Sequence, residues 1–364
     1  MQVRAALVAA LFGVVACNSQ SSATPDGRAG SAQSGASGFA AYGNGAGDGG
    51  AATAGGDAGS NESLGGAGMA GTDAGSVAMA GSNMDCGVVA APSAWSGWVM
   101  PNPVRSGLPN PMSYTVSASG NAVTDNVTGL IWQRAVADST FTWADAKQYC
   151  SCLSTDGESD WRLPSRIELS SIADWTTAHP SIDSVAFPNT PNEAFWSASV
   201  LENGDPDLAW HVDFDSSHTS YTDKLYTHHA RCVRAGTPDS AMNTPPGRYM
   251  ITDGTVLDTQ TKLTWQQVLG VDQVTWADAA TYCAALSLAG TGWRVPSISE
   301  LQTIVNETTN PAVAASAFPM TPSEYFWSSS AVSDDATRAW DTFFANGSTY
   351  SFAVTMQKSV RCVR

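Results

Sequence analysis

The chain of 364 residues contains an internal repeat, which limits its fold more than any other feature. The segment Thr142–Cys150 (TWADAKQYC) recurs as Thr275–Cys283 (TWADAATYC), and Arg231–Arg234 (RCVR) recurs as Arg361–Arg364. Two further motif pairs keep the same order between these anchors: WRLPS at 161–165 with WRVPS at 293–297, and FWS at 195–197 with FWS at 326–328. Solenoid repeats run roughly 20 to 50 residues, so this longer period indicates tandem globular domains. We therefore predict two copies of one domain.

The N-terminus has the pattern of a bacterial lipoprotein signal. Arg4 is followed by an apolar run and by small residues that lead to Cys17. The alternatives are an ordinary secretory signal and a short membrane span, but a span needs about 20 apolar residues and polar Asn18 comes too early. We predict a signal peptide at 1–16, lipidation of Cys17 and a lipid anchor at the cell envelope. Asn18 favours the outer membrane or cell surface.

Five segments are predicted after the signal peptide. The stretch 17–84 is rich in Gly, Ala and Ser, and it holds too few apolar side chains to offset the entropy lost on ordering. We predict that it is a disordered tether, a stalk that holds the folded part away from the membrane. The remaining order is a Pro-rich lead-in at 85–111, domain 1 at 112–235, a linker at 236–247 and domain 2 at 248–364.

The charge of the chain limits its partners. The net charge is −16 at pH 7. This sign argues against nucleic acid, anionic lipid and sulfated glycans as bulk electrostatic partners. Cations and local contacts at single basic residues stay compatible with the composition. The oligomeric state does not follow from it.

The cysteine pattern predicts three disulfides. Six cysteines remain besides Cys17. Cys150 and Cys232 in copy one occupy the positions of Cys283 and Cys362 in copy two, so the repeat predicts one bridge within each copy, and Cys86 is left to pair with Cys152. Reduced metal-binding cysteines are the alternative, but an exported chain without a spaced C-x-x-C pair is typical of disulfide bonding.

Hydrophobic periodicity predicts two helices in each copy. Trp143, Ala146 and Cys150 fall at i, i+3 and i+7, the spacing of one buried helical face, and copy two repeats it. The second helix begins at a capping box, in which Ser165 precedes Glu168 by three residues. Strands are predicted at 195–199, 208–214 and through Cys232 in copy one, and at 326–330, 338–344 and 359–364 in copy two.

The ordered motifs T-W-x-D-A-x-x-Y-C, W-R-x-P-S-x-x-E-L, F-P-x-T, F-W-S and R-C-V-R resemble the Lcl C-terminal domain family. The resemblance covers about 112–235 and 248–364. It implies an α+β fold made of two tandem C-type-lectin-like domains, each with two helices and a small, mostly antiparallel sheet. It also implies an exported bacterial protein, with adhesion or glycan binding as the role of the family's namesake.

The tryptophans divide into shared and unshared residues. Ten of the 13 recur between the copies at helix and strand positions, so we interpret these as core residues. Trp95, Trp98 and Trp175 have no counterpart. They are candidates for exposed or copy-specific packing roles, and we expect Cys86 to fasten the lead-in that holds Trp95 and Trp98 onto copy one.

Each copy also places an Arg six residues before a Glu, as Arg162 with Glu168 and Arg294 with Glu300. Such a pair could be catalytic. We favour a partly buried ion pair that braces the loop before the second helix, because buried charges are normally paired.

All five histidines lie in copy one, which excludes a His-based mechanism shared by both copies. A metal site built from His211, His218 and His228 or His229 is one hypothesis. Solvated loop histidines are the alternative that we favour.

Calcium is a second metal hypothesis. Asn203, Asp205 and Asp207 offer oxygen ligands in a turn where a lectin of this fold would have its long loop, and oxygen ligands suit Ca²⁺. Neither copy carries the E-P-N, Q-P-D or W-N-D triplets of sugar-binding lectins. Acidic turns are also common in an acidic protein, so we predict no cofactor other than this candidate calcium.

These observations predict a non-catalytic cell-surface lipoprotein, adhesin-like or sensing, that binds an extracellular glycan or surface protein. The alternatives are an envelope enzyme related to formylglycine-generating enzymes, which share the R-L-P-x-x-x-E string, and a structural envelope protein. No Ser-His-Asp order, phosphate-binding Gly loop or H-E-x-x-H motif is present. Ligand contacts are predicted in the variable loops, at Asp205, Asp207, Asp215, His218, Tyr221, Asp334, Asp335, Asn346 and Tyr350.

Overall fold

The computed structural model describes Cys86 and residues 94–201, 205–234 and 244–364. The predicted signal peptide, Cys17 and the whole predicted tether therefore lie outside the described residues. The first copy contains two helices and seven strands, after a short 3-10 helix at Val104–Ser106. Its elements are β1 Tyr114–Val116, β2 Ala122–Asp125, β3 Ile131–Gln133, α1 Trp143–Ser151, α2 Arg166–Ser171, β4 Ala194–Val200, β5 Leu208–Asp213, β6 His218–Asp223 and β7 Val233–Arg234.

The second copy repeats this order. Its elements are β8 Tyr249–Thr252, β9 Thr255–Asp258, β10 Thr264–Gln266, α3 Trp276–Ala285, α4 Ile298–Gln302, β11 Tyr325–Val332, β12 Asp335–Phe343 and β13 Thr349–Ala353. Each copy is thus a mixed helix and strand domain. Among the described residues, no helix has the length and apolar character needed to cross a bilayer.

Each copy has two small antiparallel sheets. In copy one the strand orders are β1-β2-β3-β7 and β4-β5-β6, and in copy two they are β8-β9-β10 and β11-β12-β13. Val363 pairs with Trp265 in the place that β7 takes in copy one. The sequence patterns predicted the strands that contain the FWS motifs and the strands that follow them, now β4, β5, β11 and β12. They missed β6 and β13, because the alternation in these strands mixes Thr, Ser and His with few large apolar residues.

The helix starts agree with the predicted caps. The Thr142 hydroxyl accepts a hydrogen bond from the Asp145 N–H, and Thr275 repeats this with Asp278. A complete capping box opens α2 and α4, each with a Ser and a Glu three residues later. The carboxylates of the same glutamates each accept two hydrogen bonds from the guanidinium of the predicted arginine. The Nη–Oε distances are 2.6 and 2.7 Å for Arg162 on Glu168. These pairs fasten the W-R-x-P-S loop to the helix that follows it.

The three predicted disulfides are all present. Cys150 bonds Cys232 and Cys283 bonds Cys362, so the first helix of each copy is joined to its last segment. Cys86 bonds Cys152 at the end of α1. Each domain bridge closes a loop of about 80 residues, which the chain-entropy model values at about 4 to 5 kcal/mol.

The two copies pack against each other through their second helices and their last sheet strands. Arg166 on α2 forms a buried ion pair with Glu307 of copy two, with 2.5 Å between Nε and Oε1. The Thr219 N–H of β6 donates to the Thr349 hydroxyl of β13 at 2.8 Å. Thr219 and Thr349 are equivalent positions of the repeat, so the copies meet about a pseudo-two-fold axis close to this pair.

The two sides of this axis have different chemistry. Arg166 and Glu307 have Ile298 and Trp175 as their counterparts in the other copy. Ile298 and Trp175 belong to one apolar cluster, in which Trp175 contacts Trp340 edge to face. The interface is therefore ionic on one side and apolar on the other.

The lead-in reaches further than the sequence suggested. Cys86 fastens it to copy one as predicted, but Trp95 is 3% exposed and lies under the Arg248 guanidinium of copy two. Arg248 also donates to the Ser96 carbonyl at 3.0 Å. In addition, the Ser297 hydroxyl at the start of α4 donates to Asn102 at 2.7 Å. The lead-in thus straps the two copies together.

Candidate functional site

A groove of about 770 Å³ lies where the lead-in, domain 1 and domain 2 meet. Domain 2 supplies most of its walls, from α3, the loop before α4 and the end of β11. The lead-in forms a third side. The lining residues are Pro103, Ser106, Leu108, Trp175, Thr176, Trp276, Ala277, Ala280, Ala284, Trp293, Arg294, Val295, Ser297, Ser329, Ser330, Ala331, Val332, Ser333 and Ala336.

Trp276 forms the main aromatic surface of the groove. It is the first residue of α3, and its indole N–H donates to the Ser328 carbonyl at 2.7 Å. This bond fixes the ring orientation while the ring stays partly exposed. Along the same helix Ala277, Ala280 and Ala284 present only methyl groups, so a ligand can approach the ring closely.

Trp293 and Arg294 close the adjacent wall. The Trp293 indole N–H donates to the carbonyls of Leu288 and Gly290 at 2.9 and 3.2 Å, and the ring is buried. The Arg294 guanidinium is held by Glu300 at 2.6 Å, yet the side chain remains 28% exposed. A fixed, partly exposed guanidinium can still donate to a neutral acceptor, because an Arg has five N–H groups.

Serine hydroxyls line the opposite edge. Ser329 and Ser333 are exposed at the end of β11 and in the turn after it. The Ser330 hydroxyl accepts the Ile298 N–H at 3.1 Å, which ties this edge to the start of α4. A hydroxyl can donate and accept, so this edge suits a ligand that carries hydroxyl or amide groups.

The equivalent tryptophan of copy one has lysine side chains over its ring. Trp143 holds the position of Trp276, but the ammonium groups of Lys147 and Lys224 lie 4.4 and 4.7 Å from its ring centroid. Copy two has Ala280 and Val354 at those two positions. Both tryptophans are partly exposed, and the exchange of two lysines for two small apolar residues leaves the Trp276 ring without the ammonium groups that lie over Trp143.

Both copies match the model of the Lcl C-terminal domain, at residues 121–234 and 254–364, which together make up more than half of the chain. The chain belongs to the Lcl C-terminal domain family. Comparison with solved structures gives the adhesin InvE of Yersinia pseudotuberculosis, with 13% sequence identity and a TM-score of 0.22. That match covers 49% of this chain and 63% of the adhesin chain. Comparison with curated protein sequences gives no significant match.

Four of the predicted ligand contacts lie at the seam between the two Lcl C-terminal domains. The rings of His218 and Tyr350 are 6.1 Å apart, and the Asn346 amide lies 3.4 Å from the Tyr221 hydroxyl. These residues are partly buried by each other. The structure therefore brings them together, but as part of the contact between the domains.

Two others, Asp215 and Asp334, meet at His179. The Asp215 carboxylate is 2.5 Å from His179 Nδ1, and the Asp334 carboxylate of the other domain is 3.6 Å from Nε2. Asp335 instead accepts from the Thr337 N–H and hydroxyl within its own turn. The sequence did not single out His179 as a partner of these carboxylates.

Only two of the three candidate calcium ligands lie in the described residues. Asp205 and Asp207 are exposed, and the Asp205 carboxylate accepts the Asp207 N–H at 2.9 Å. Asn203 lies outside the described residues. Within the described part of the chain, no group of three His, Cys, Asp or Glu side chains could hold a metal ion. This also applies to the hypothesis of a site built from His211, His218 and His228 or His229.

None of the nine predicted contacts lines the groove. Ser333 and Ala336, which line the groove, flank Asp334 and Asp335, so these two predicted contacts lie beside it. Trp276 and Trp293 were assigned to the core because they recur in both copies. The signal that could have identified Trp276 was the change from Lys147 to Ala280 beside it.

Proposed function

We propose that this protein is a non-catalytic cell-surface binding protein that holds an extracellular ligand in the groove of domain 2. The observation that carries the proposal is the accessible, oriented face of Trp276 beside small residues and serine hydroxyls. An aromatic face packs on the C–H side of a sugar ring while hydroxyls and amides bond its edges. A neutral glycan is therefore the first candidate, and a segment of a surface protein is the second.

The proposed fold of each domain is C-type-lectin-like. Its support is the covalent bond between the first helix and the last segment in both copies, together with the small antiparallel sheets and two helices. Fold alone does not determine a ligand, so the binding role rests on the groove rather than on this likeness.

Lipidation of Cys17 and a place at the cell surface or outer membrane complete the proposal. They rest on the sequence of the N-terminus. A tether between the lipid and the domains would let the groove reach ligands beyond the surface layer.

The alternative of an enzyme related to formylglycine-generating enzymes would need free thiols late in the chain. The six cysteines among the described residues are all in disulfides. We therefore place the non-catalytic function first.

The test is a glycan and extracellular-protein array probed with the full mature chain. We expect binding to one class of neutral glycan, and Trp276→Ala should reduce the affinity at least about fivefold, because one aromatic contact contributes on the order of 1 kcal/mol or more.

The matched control is Trp143→Ala in copy one, whose ring is covered by lysines and should not contact the ligand. Equal loss of binding in both variants would show that the effect is structural. Selective capture of proteins by wild type and not by Trp276→Ala would replace the glycan with a surface protein. Absence of binding to every arrayed probe would count against the proposed function.

A further inference from the structure

His179 connects the two domains at the rim of the groove. It lies in the 174–181 loop of domain 1, which also supplies Trp175 and Thr176 to the groove lining. Its Nε2 lies 3.6 Å from Asp334, which directly follows the lining residue Ser333 in the turn between β11 and β12. The contact from His179 to Asp334 therefore joins the two segments that form this part of the rim.

The charges around His179 are all acidic. From the turn after β5, Asp215 lies 2.5 Å from Nδ1. From domain 2, Asp334 approaches the other nitrogen, while Asp335 is turned toward Thr337. In its own loop Asp174 accepts from the Thr176 N–H and hydroxyl. A protonated imidazole can donate to Asp215 and attract Asp334 at the same time, whereas a neutral one has only one N–H.

We propose that His179 is a proton-controlled latch that holds the 174–181 loop of domain 1 against the 332–335 turn of domain 2 and so keeps the groove in its binding shape. This inference rests on the proposed function for its biological meaning, since it describes regulation of the same groove. The backbone of the loop stays fixed to domain 1 in either state, because the His179 N–H donates to the Asp215 carbonyl at 3.0 Å. The contact with Asp334 of domain 2 needs the proton, because the single N–H of a neutral ring can stay on Asp215.

The direction of the effect follows from the neighbours. Asp215, by hydrogen bond and charge, and then Asp334 raise the pKa of His179 above its ordinary value. The latch is therefore complete at mildly acidic pH and is lost as the pH rises through this raised pKa. Loss of the proton also leaves two carboxylates beside one neutral ring. Because all three side chains are exposed, the expected gain in groove affinity at low pH is modest, about two- to fivefold.

The first experiment measures the latch without any ligand. In the full mature chain labelled with ¹³C-histidine, NMR titration should give His179 a pKa above that of an exposed histidine. Asp334→Asn should lower this pKa, and Asp335→Asn, the matched control in the same turn, should leave it unchanged. A His179 pKa that does not respond to Asp334→Asn would overturn the latch.

The second experiment asks whether the latch reaches the groove. The chain is labelled with 5-fluorotryptophan, and the ¹⁹F signals of Trp175 and Trp276 are assigned with single Trp→Phe variants. Both signals should shift with the midpoint of His179 in wild type, and both shifts should disappear in His179→Lys, which carries a permanent charge. Shifts that persist in His179→Lys and in Asp334→Asn would contradict the proposal.

The third experiment measures the binding of a glycan identified on the array. If a neutral glycan from the array binds wild type more weakly at pH 8.5 than at pH 5.5 and binds His179→Lys equally at both, regulation by the latch is supported. If it binds but both proteins respond to pH alike, the latch fails and the proposed function stands. If nothing on the array binds while the NMR titrations behave as expected, the proposed function fails and the latch stands.

Discussion

The two domains share one framework but fill the same interior position with different chemistry. On the middle strand of the second sheet, His211 of copy one pairs with Trp196, and Asp341 of copy two pairs with Trp327. Facing them, copy one has His228, whose ring lies 4.8 Å from His211. Copy two has Lys358 there, and its ammonium lies 3.2 Å from Asp341. An uncharged histidine pair has thus been exchanged for a buried ion pair, or the reverse.

The side chains around the buried pair also differ between the two copies. The Lys358 ammonium lies 3.5 Å from the Phe352 ring centroid and 4.1 Å from that of Tyr325. The equivalent residues in copy one are Thr222 and Ala194, which cannot supply such ring contacts. Aromatic rings stabilise a desolvated cation, so the rings and the lysine form one unit. In this protein the buried pair and the side chains that surround it differ together between the two copies.

Removing the disulfide of each copy tests how similar the two frameworks are. It should give the largest change in the free energy of unfolding. Removing Cys150 and Cys232 together, as alanines, should lower the free energy of unfolding by about 4 to 5 kcal/mol, because the bridge restricts a long loop of the unfolded chain. Removing Cys283 and Cys362 should cost about the same, since the sequence separations are 82 and 79 residues. Urea unfolding under non-reducing conditions measures both. If only one of the two double variants lost stability, the two disulfides would not be equivalent.

The interface between the copies gives the next effect. Glu307→Ala leaves the guanidinium of Arg166 buried without its ionic partner, and breaking such a pair typically costs about 3 to 5 kcal/mol. The double variant Arg166→Met with Glu307→Leu should recover most of this loss, because it makes the ionic side resemble the apolar side formed by Trp175 and Ile298. Urea unfolding checks both variants. A double variant no more stable than Glu307→Ala would show that the ionic side depends on its charges.

The histidine pair should make copy one sensitive to acid. Burial, followed by the charges of His228 and His218, lowers the pKa of His211 to about 3. The folded state therefore binds this proton more weakly than the unfolded state, so stability is full above about pH 6.5 and falls as the pH drops toward 3. Between pH 6.5 and 5 the expected loss is about 2 kcal/mol.

The test compares urea unfolding of wild type and His211→Gln at pH 7.5 and pH 5.0. The variant should lose less stability on acidification, because it has no imidazole to protonate. Asp341→Asn is the matched change in copy two and should act in the opposite sense. Burial raises the pKa of Asp341, so wild type gains stability there as the pH falls, and the variant lacks that gain. Equal acid sensitivity in all three proteins would contradict this account.

Sequence reasoning recovered the framework because the framework is what the copies repeat. The helix caps at Thr142 and Ser165 and all three disulfides follow from local patterns and from the repeat. The groove could not be predicted in the same way, because it is formed by the lead-in, Trp175 and domain 2, which are distant in sequence. The packing of the lead-in across both copies could not be predicted for the same reason. A buried contact between Trp95 and Arg248, which are distant in sequence, leaves no periodic pattern in the chain.

The smallest expected effect on stability is also the sharpest test of the difference between the two tryptophan faces, since only Trp143 has lysine ammonium groups near its ring. Lys147→Ala removes an exposed ammonium 4.4 Å from the Trp143 centroid, and such a contact contributes about 0.5 to 1 kcal/mol. The reverse change, Ala280→Lys, should place an ammonium over Trp276 and alter stability by a similarly small amount. Its effect on binding should be much larger, because the lysine would occupy the face that the ligand needs.

Isothermal titration with a glycan identified on the array, alongside urea unfolding, separates these two effects. Ala280→Lys should bind about tenfold or more weakly with near wild-type stability, and Lys147→Ala should bind as wild type does. Should Ala280→Lys bind as tightly as wild type, the face of Trp276 would not be the contact surface. The ligand contact would then have to be sought at the seam between the domains around Tyr221 and Tyr350, where several ligand contacts were first predicted.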